Sequence, residues 1–99
     1  MNAFITGSHA YGTPKEDSDI DLAVLVSEEN ASLLWAHGIN EAGSIRFGKL
    51  NMVVFYNDEN FYRWKKVNDA LIKREPVTRD EAISAFQEAG FRNYPTKEQ

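Results

Sequence analysis

The residue types best suited to chemistry lie in one stretch, where Gly7-Ser8 is followed ten residues later by Asp19-Ile20-Asp21. Asp19 and Asp21 stand at positions i and i+2 of a predicted strand, so we expect both carboxylates on one face, roughly 7 Å apart. Carboxylates at that spacing repel by roughly 2 kcal/mol at an effective dielectric near 20. A divalent cation would offset this repulsion, and hard oxygen ligands suit Mg²⁺. The pair therefore predicts a metal site.

Gly7-Ser8 comes directly after a predicted strand at residues 2–6. Glycine lets the backbone approach a ligand closely, and the following N–H groups with the Ser8 hydroxyl can hold phosphate oxygens. Alone, such a pair is usually an ordinary turn, and an Asp-x-Asp is usually solvated. Because both flank one loop and the aspartates lie in an otherwise apolar strand, together they indicate phosphoryl or nucleotidyl transfer.

The elements that must position these residues follow from periodicity and turn chemistry. Alternation predicts a strand from Ile20 to Val26, and a second strand region runs from Ile45 to Tyr56 with a turn or bulge at Gly48. Three helices are predicted by their caps: one from Ser27 to about His37, one capped by Asp58 and closed by Pro76, and one with a Thr78/Glu81 capping box that ends at Gly90. The predicted class is α/β (α+β), a small mixed sheet packed by helices.

Composition narrows the classes of protein that remain. The chain has 99 residues, 42% of them hydrophobic, which suits one domain over residues 1–99 with a fraying tail from about residue 93. It has no cysteine, which excludes disulfides, zinc ribbons and thiol nucleophiles. No apolar run approaches the ~20 residues of a membrane helix, and the first residues lack the basic-then-apolar pattern of a signal peptide. We therefore expect no membrane partner and cytoplasmic localisation. The net charge of −4 argues against broad nucleic-acid binding, although a local basic stripe leaves that partner open.

The stretch Gly-Ser, ten residues, then Asp-Ile-Asp-Leu resembles the signature of the polymerase-β-like nucleotidyltransferases. Within that superfamily the chain is most similar to the minimal nucleotidyltransferases, whose longer motif is matched at Gly7, Ser8, Ala10, Gly12, Ser18, Asp19, Ile20, Asp21 and Leu22. The resemblance is specific over residues 4–26 and extends weakly, through the order of elements, over most of the chain.

This resemblance implies a nucleotidyltransferase-like fold and transfer of a nucleoside monophosphate, usually AMP from ATP, to a hydroxyl acceptor with loss of pyrophosphate. Asp19 and Asp21 would hold Mg²⁺, with Mn²⁺ as an alternative, and Gly7 and Ser8 would hold the phosphates of ATP or another nucleoside triphosphate. Some members of the family are antitoxins that modify a helical HEPN-type protein, so the implied acceptor is a protein or a small-molecule hydroxyl.

The family carries a third carboxylate on a later strand, and this sequence has Asn51 at the corresponding position. An amide oxygen can ligate a metal but takes no proton at neutral pH. Three hypotheses therefore stay open: an active transferase, an impaired module that binds nucleotide or a partner, and an antitoxin that acts by contact alone. The chain also lacks the helix that often precedes the first strand in relatives, which predicts that a partner or a second copy covers the sheet.

Overall fold

A computed structural model describes residues 2–39 and 43–91 of the chain. These residues form four strands and four helices in an order close to the predicted one. The elements are β1 (Ala3–Thr6), α1 (Ser8–Tyr11), β2 (Ile20–Leu25), α2 (Glu28–Ala36), β3 (Ser44–Phe47), β4 (Leu50–Phe55), α3 (Asp58–Ile72) and α4 (Arg79–Glu88). The fraying expected for the tail from about residue 93 lies outside the described residues.

The four strands form one mixed sheet in the order β1-β2-β4-β3. The two central strands, β2 and β4, are parallel, and the edge strands β1 and β3 each pair antiparallel with their neighbours. Parallel neighbours need a crossover connection, which α2 and β3 supply here. This mixed sheet with helices packed against it confirms the predicted α+β class.

The starts of the three longer helices were predicted well from sequence, with one error. The Ser27 hydroxyl caps α2, and Thr78 with Glu81 forms the predicted capping box of α4. The prediction that Asp58 caps α3 is wrong by one residue: the Asn57 side chain accepts the cap bond, and Asp58 is the first helical residue. Asn and Asp cap helices about equally well, so composition alone could not choose between neighbours. Backbone conformation decides, because Asn57 is extended at φ −122° and ψ 126°.

The hydrophobic core lies between one face of the sheet and the helices α3 and α4. Trp64 of α3 stacks on Phe86 of α4 with ring centroids 3.9 Å apart, and Phe55 of β4 packs against both Phe61 and Trp64. The core cluster of buried residues is Tyr11, Ala23, Val53, Phe55, Phe61, Trp64, Leu71, Val77, Ala82, Phe86 and Phe91. The side chains that carry chemistry therefore lie at one end of a packed face of the sheet.

The opposite face of the sheet is partly exposed. Ile5, Ile20 and Phe47 alternate away from the core and are 43%, 39% and 60% exposed. The expectation that a partner or a second copy covers this face stays a prediction.

Candidate active site

A sharp turn at Gly7 links β1 to the single helical turn α1, which the sequence had indicated only as a loop. Gly7 has φ 76° and ψ −159°, a conformation open essentially to glycine alone. Its carbonyl accepts hydrogen bonds from the N–H groups of Ala10 and Tyr11 at 2.9 and 3.1 Å. A Cβ atom at Gly7 would lie 2.1 Å from Oδ2 of Asp21. Glycine is therefore required twice, for the backbone conformation and for the approach of the Asp21 carboxylate.

Substituting alanine for Gly7 is expected to destabilise the protein more than the same change at Gly38. Gly38 also has a positive φ, of 81°, but open space where a Cβ would be, so Gly38→Ala reports the penalty of a positive φ without a steric contact. The added cost at Gly7 comes from its ψ of −159°, which at positive φ is open essentially to glycine alone, and from displacement of the Asp21 carboxylate. Overpacking of this kind costs about 1–3 kcal/mol. Denaturant unfolding measures both variants; equal losses of unfolding free energy would show that the turn tolerates a side chain.

Buried polar contacts hold β1 in place just before this turn. The Thr6 hydroxyl donates to Oδ1 of Asn68 at 2.7 Å and accepts from the indole N–H of Trp64 at 3.2 Å. The Asn68 amide in turn donates to the Ile5 carbonyl at 3.1 Å. Buried polar groups that are satisfied in this way specify one arrangement, because any shift leaves them unpaired. Helix α3 thereby fixes the position of the strand that delivers Gly7 and Ser8.

Asp21 and Asp19 lie close to this turn but in different surroundings. Asp21 belongs to β2, where it pairs with Thr6, and its Oδ1 accepts a hydrogen bond from the Asn51 amide at 3.1 Å. Asp19 precedes β2, so the prediction that both aspartates lie within the strand is wrong for Asp19. A loop positions it instead: the Lys15 N–H donates to the Ser18 hydroxyl at 2.7 Å, immediately before Asp19.

A row of side chains crosses the sheet on the face that carries Asp21. Thr6 is paired with Asp21, Asp21 with Asn51, and Asn51 with Arg46 in the register of the four strands. We call these four residues the polar row. Paired residues on neighbouring strands share a face and lie about 4.7–4.9 Å apart along the row. The Asn51 amide is therefore next to the Asp21 carboxylate, and it is only 5% exposed.

Arg46 is a site residue that the sequence analysis missed. Its Nη2 donates to Oδ2 of Asp19 at 2.9 Å, and its Nη1 donates to the Gly48 carbonyl at 3.2 Å. The hydrogen bond to Asp19 raises the pKa of Arg46 above its ordinary value. The sequence did contain a signal for this position. A two-residue turn at Gly48-Lys49 makes a tight hairpin, and the register of that hairpin puts Arg46 opposite Asn51.

These residues border one cavity of about 580 Å³. That volume falls within the range of ~300–1,000 Å³ that is typical of small-ligand sites. Part of the lining was not predicted: it comes from residues 77–79, where α4 begins. A hydrogen bond from the Val77 N–H to the Tyr11 carbonyl (2.7 Å) ties this segment to α1. The lining residues are Gly7, Ser8, Tyr11, Gly12, Thr13, Asp17, Ser18, Asp19, Asp21, Arg46, Asn51, Val77, Thr78 and Arg79. All five residues predicted from sequence, Gly7, Ser8, Asp19, Asp21 and Asn51, thus border the same space.

The carboxylates of this cavity fit a cation whose remaining coordination positions are filled by a bound substrate and water. Among residues 2–39 and 43–91 there is no group of three or more His, Cys, Asp and Glu side chains that could hold a metal ion. Mg²⁺ in phosphoryl-transfer sites is commonly held by one or two carboxylates together with substrate phosphates and water. Asp19 and Asp21, with the Asn51 amide beside them, match that donor set.

The family model for the nucleotidyltransferase domain matches residues 2–81. The chain therefore belongs to the nucleotidyltransferase domain family, which carries out nucleotidyl transfer. No curated protein and no solved structure shows significant similarity to the chain. No helix in the described part of the chain is long and apolar enough to cross a membrane.

Proposed function

We propose that this protein is an enzyme that transfers AMP from ATP to a hydroxyl acceptor in a reaction that depends on Mg²⁺. One observation carries the proposal: Gly7, Ser8, Asp19 and Asp21, predicted to hold phosphates and metal, border one cavity of about 580 Å³. Membership of the nucleotidyltransferase domain family supports the reaction type. The choice of AMP and of Mg²⁺ rests on the resemblance to minimal nucleotidyltransferases and on the carboxylate donors.

In this proposal Gly7 and Ser8 hold the phosphates. Gly7 has no side chain to keep a phosphate away from the backbone, and Ser8, whose hydroxyl can donate a hydrogen bond, borders the cavity. Asp19 and Asp21 would hold Mg²⁺, which when bound supplies positive charge to the phosphate oxygens. The hydrogen bond from Asn51 to Oδ1 restricts the rotamer of Asp21, and Oδ2 lies 2.1 Å from the point where a Cβ at Gly7 would be.

The acceptor oxygen attacks the α-phosphorus, the bond between the α-phosphorus and the bridging oxygen breaks, and pyrophosphate leaves. Asn51 takes no proton near neutral pH, so the proton of the acceptor hydroxyl passes to a carboxylate or to solvent water. The acceptor is a hydroxyl on a partner protein, as the resemblance to antitoxin members favours, or on a small molecule.

Calorimetric titration of each nucleoside triphosphate into the protein, in Mg²⁺ and in EDTA, tests this function. We expect ATP to bind in Mg²⁺ and to lose most of its affinity in EDTA, because the carboxylates repel the triphosphate when no cation lies between them. Tighter binding of GTP, CTP or UTP would reassign the donor. Absence of binding by all four in Mg²⁺ would contradict a nucleotide site in this cavity.

A further inference from the structure

The cluster formed by Asp19, Asp21, Asn51 and Arg46 differs in charge from a site built of three carboxylates. Asp19 and Asp21 are negative, Asn51 is neutral and Arg46 is positive, so the cluster has a formal charge of −1. A carboxylate at position 51 and a neutral residue at position 46 would give −3 instead. The difference of two charges equals the charge of one divalent cation.

The positive charge of Arg46 belongs to the lining of the cavity. Arg46 borders the cavity, and its guanidinium contacts Oδ2 of Asp19 at 2.9 Å. A second contact, to the Gly48 carbonyl, holds the guanidinium from the side of the hairpin turn. The Arg46 side chain is 41% exposed and that of Asp19 25%, so the arginine is the more exposed member of the pair.

Two-metal sites for phosphoryl transfer hold their ions about 3.5–4 Å apart, with carboxylates between them. Here one of the carboxylates needed for such a pair is an amide, and an oxygen of Asp19 is engaged by a fixed cation. We propose that Arg46 takes the place of one of two metal ions, so that the site binds one divalent cation with each nucleotide. This inference rests on the proposed function, because it assumes that a nucleoside triphosphate binds in this cavity.

Counting Mn²⁺ by electron paramagnetic resonance tests the inference without any turnover. The protein and a non-hydrolysable ATP analogue are mixed at equal concentrations well above their dissociation constant, and Mn²⁺ is titrated until the signal of free Mn²⁺ rises. We expect one tightly bound Mn²⁺ per complex in the wild type. Two bound ions would overturn the inference and leave the nucleotide site standing, whereas absence of analogue binding would overturn the proposed function and this inference with it.

Two variants of Arg46 give further readouts. In the double variant Arg46→Gln/Asn51→Asp, which restores a third carboxylate and removes the guanidinium, we expect two Mn²⁺ per complex. In Arg46→Gln alone we expect the analogue to bind about tenfold more weakly at saturating Mn²⁺, because the proposal has the guanidinium make a charge-assisted contact with the triphosphate, and such contacts are roughly twice as strong as neutral ones. Tighter binding by Arg46→Gln would overturn the inference, because it would mean that the guanidinium only competes with metal for Asp19.

Arg74→Gln is the matched control. Arg74 is an exposed arginine that faces Glu81 at 4.0 Å and borders a different hollow on the surface. The Arg74→Gln variant should bind the same number of Mn²⁺ ions as the wild type and should bind the analogue with the same affinity. Thermal unfolding of all variants shows whether each is folded. The number of Mn²⁺ ions bound by the wild type is measured without any substitution, so it tests the inference even where a variant does not fold.

Discussion

Replacing Asp21 by alanine is expected to abolish Mg²⁺-dependent release of pyrophosphate from ATP. A bound metal supplies several kcal/mol of charge stabilisation in such reactions, so losing this ligand should lower the rate by about 10³-fold or more. Asp21 should matter most among the predicted ligands because the buried Asn51 amide orients it through Oδ1, whereas Oδ2 of Asp19 is engaged by Arg46. The rate is measured as pyrophosphate released with water or an added hydroxyl compound as acceptor.

The fold is expected to survive this substitution. Asp21→Ala leaves the buried Asn51 amide without one acceptor, which costs about 1–3 kcal/mol. It also removes repulsion between the two aspartates, which offsets part of that loss. Asp69→Ala is the control, since Asp69 makes an exposed ion pair with Lys65 on α3. Retention of the wild-type rate and of Mg²⁺-dependent ATP affinity in Asp21→Ala would contradict the assignment of this residue.

Replacing Asn51 by aspartate is expected to raise the rate of pyrophosphate release. A carboxylate at this position can take the proton of the acceptor hydroxyl, and general-base catalysis commonly contributes about 10²–10⁴-fold. The position suits that role because Asn51 is paired with Asp21 across the parallel strands. Asn51→Ala, which removes the amide and adds no base, should give no such rise.

The same substitution is expected to make folding stability depend on metal. Without a cation, a second carboxylate about 5 Å from Asp21 costs up to about 3 kcal/mol at an effective dielectric of about 20. Arg46, directly opposite position 51, reduces that penalty. Thermal unfolding in Mg²⁺ and in EDTA should therefore differ more for Asn51→Asp than for the wild type. An unchanged rate together with unchanged metal dependence would contradict the correspondence between Asn51 and the third carboxylate of the family.

Local sequence determined most of the element boundaries, because the interactions that set them span only a few residues. The Thr78/Glu81 capping box joins residues three apart, and the alternation that predicted β2 is a property of consecutive positions. The errors at Asp19 and at the cap of α3 have the same origin. Asn57 and Asp58 are equally suitable caps, and the hydrogen bonds of β2 begin one residue after Asp19, so pattern alone could not place either limit.

The local sequence also identified the residues of the site that form a motif. Gly7-Ser8 and Asp19-Ile20-Asp21 are recognisable because their types and spacing are unusual within a chain otherwise suited to folding. Asn51 was found only through the resemblance to a family, since an asparagine in a strand has no distinctive chemistry of its own. The roles of all five residues stay predictions that the experiments above test.

What only the tertiary structure decided is how distant segments meet around the cavity. Arg46 reaches Asp19 across 27 positions, and Thr6 meets Asn68 across 62. Such contacts depend on strand order, register and the docking of helices, which no local pattern encodes. Val77 and its neighbours at the start of α4 are ordinary helix-start residues in sequence, and they become a wall of the cavity because one hydrogen bond ties them to Tyr11. By itself, therefore, the sequence determined which groups could do the chemistry, and tertiary packing decided which charges surround them.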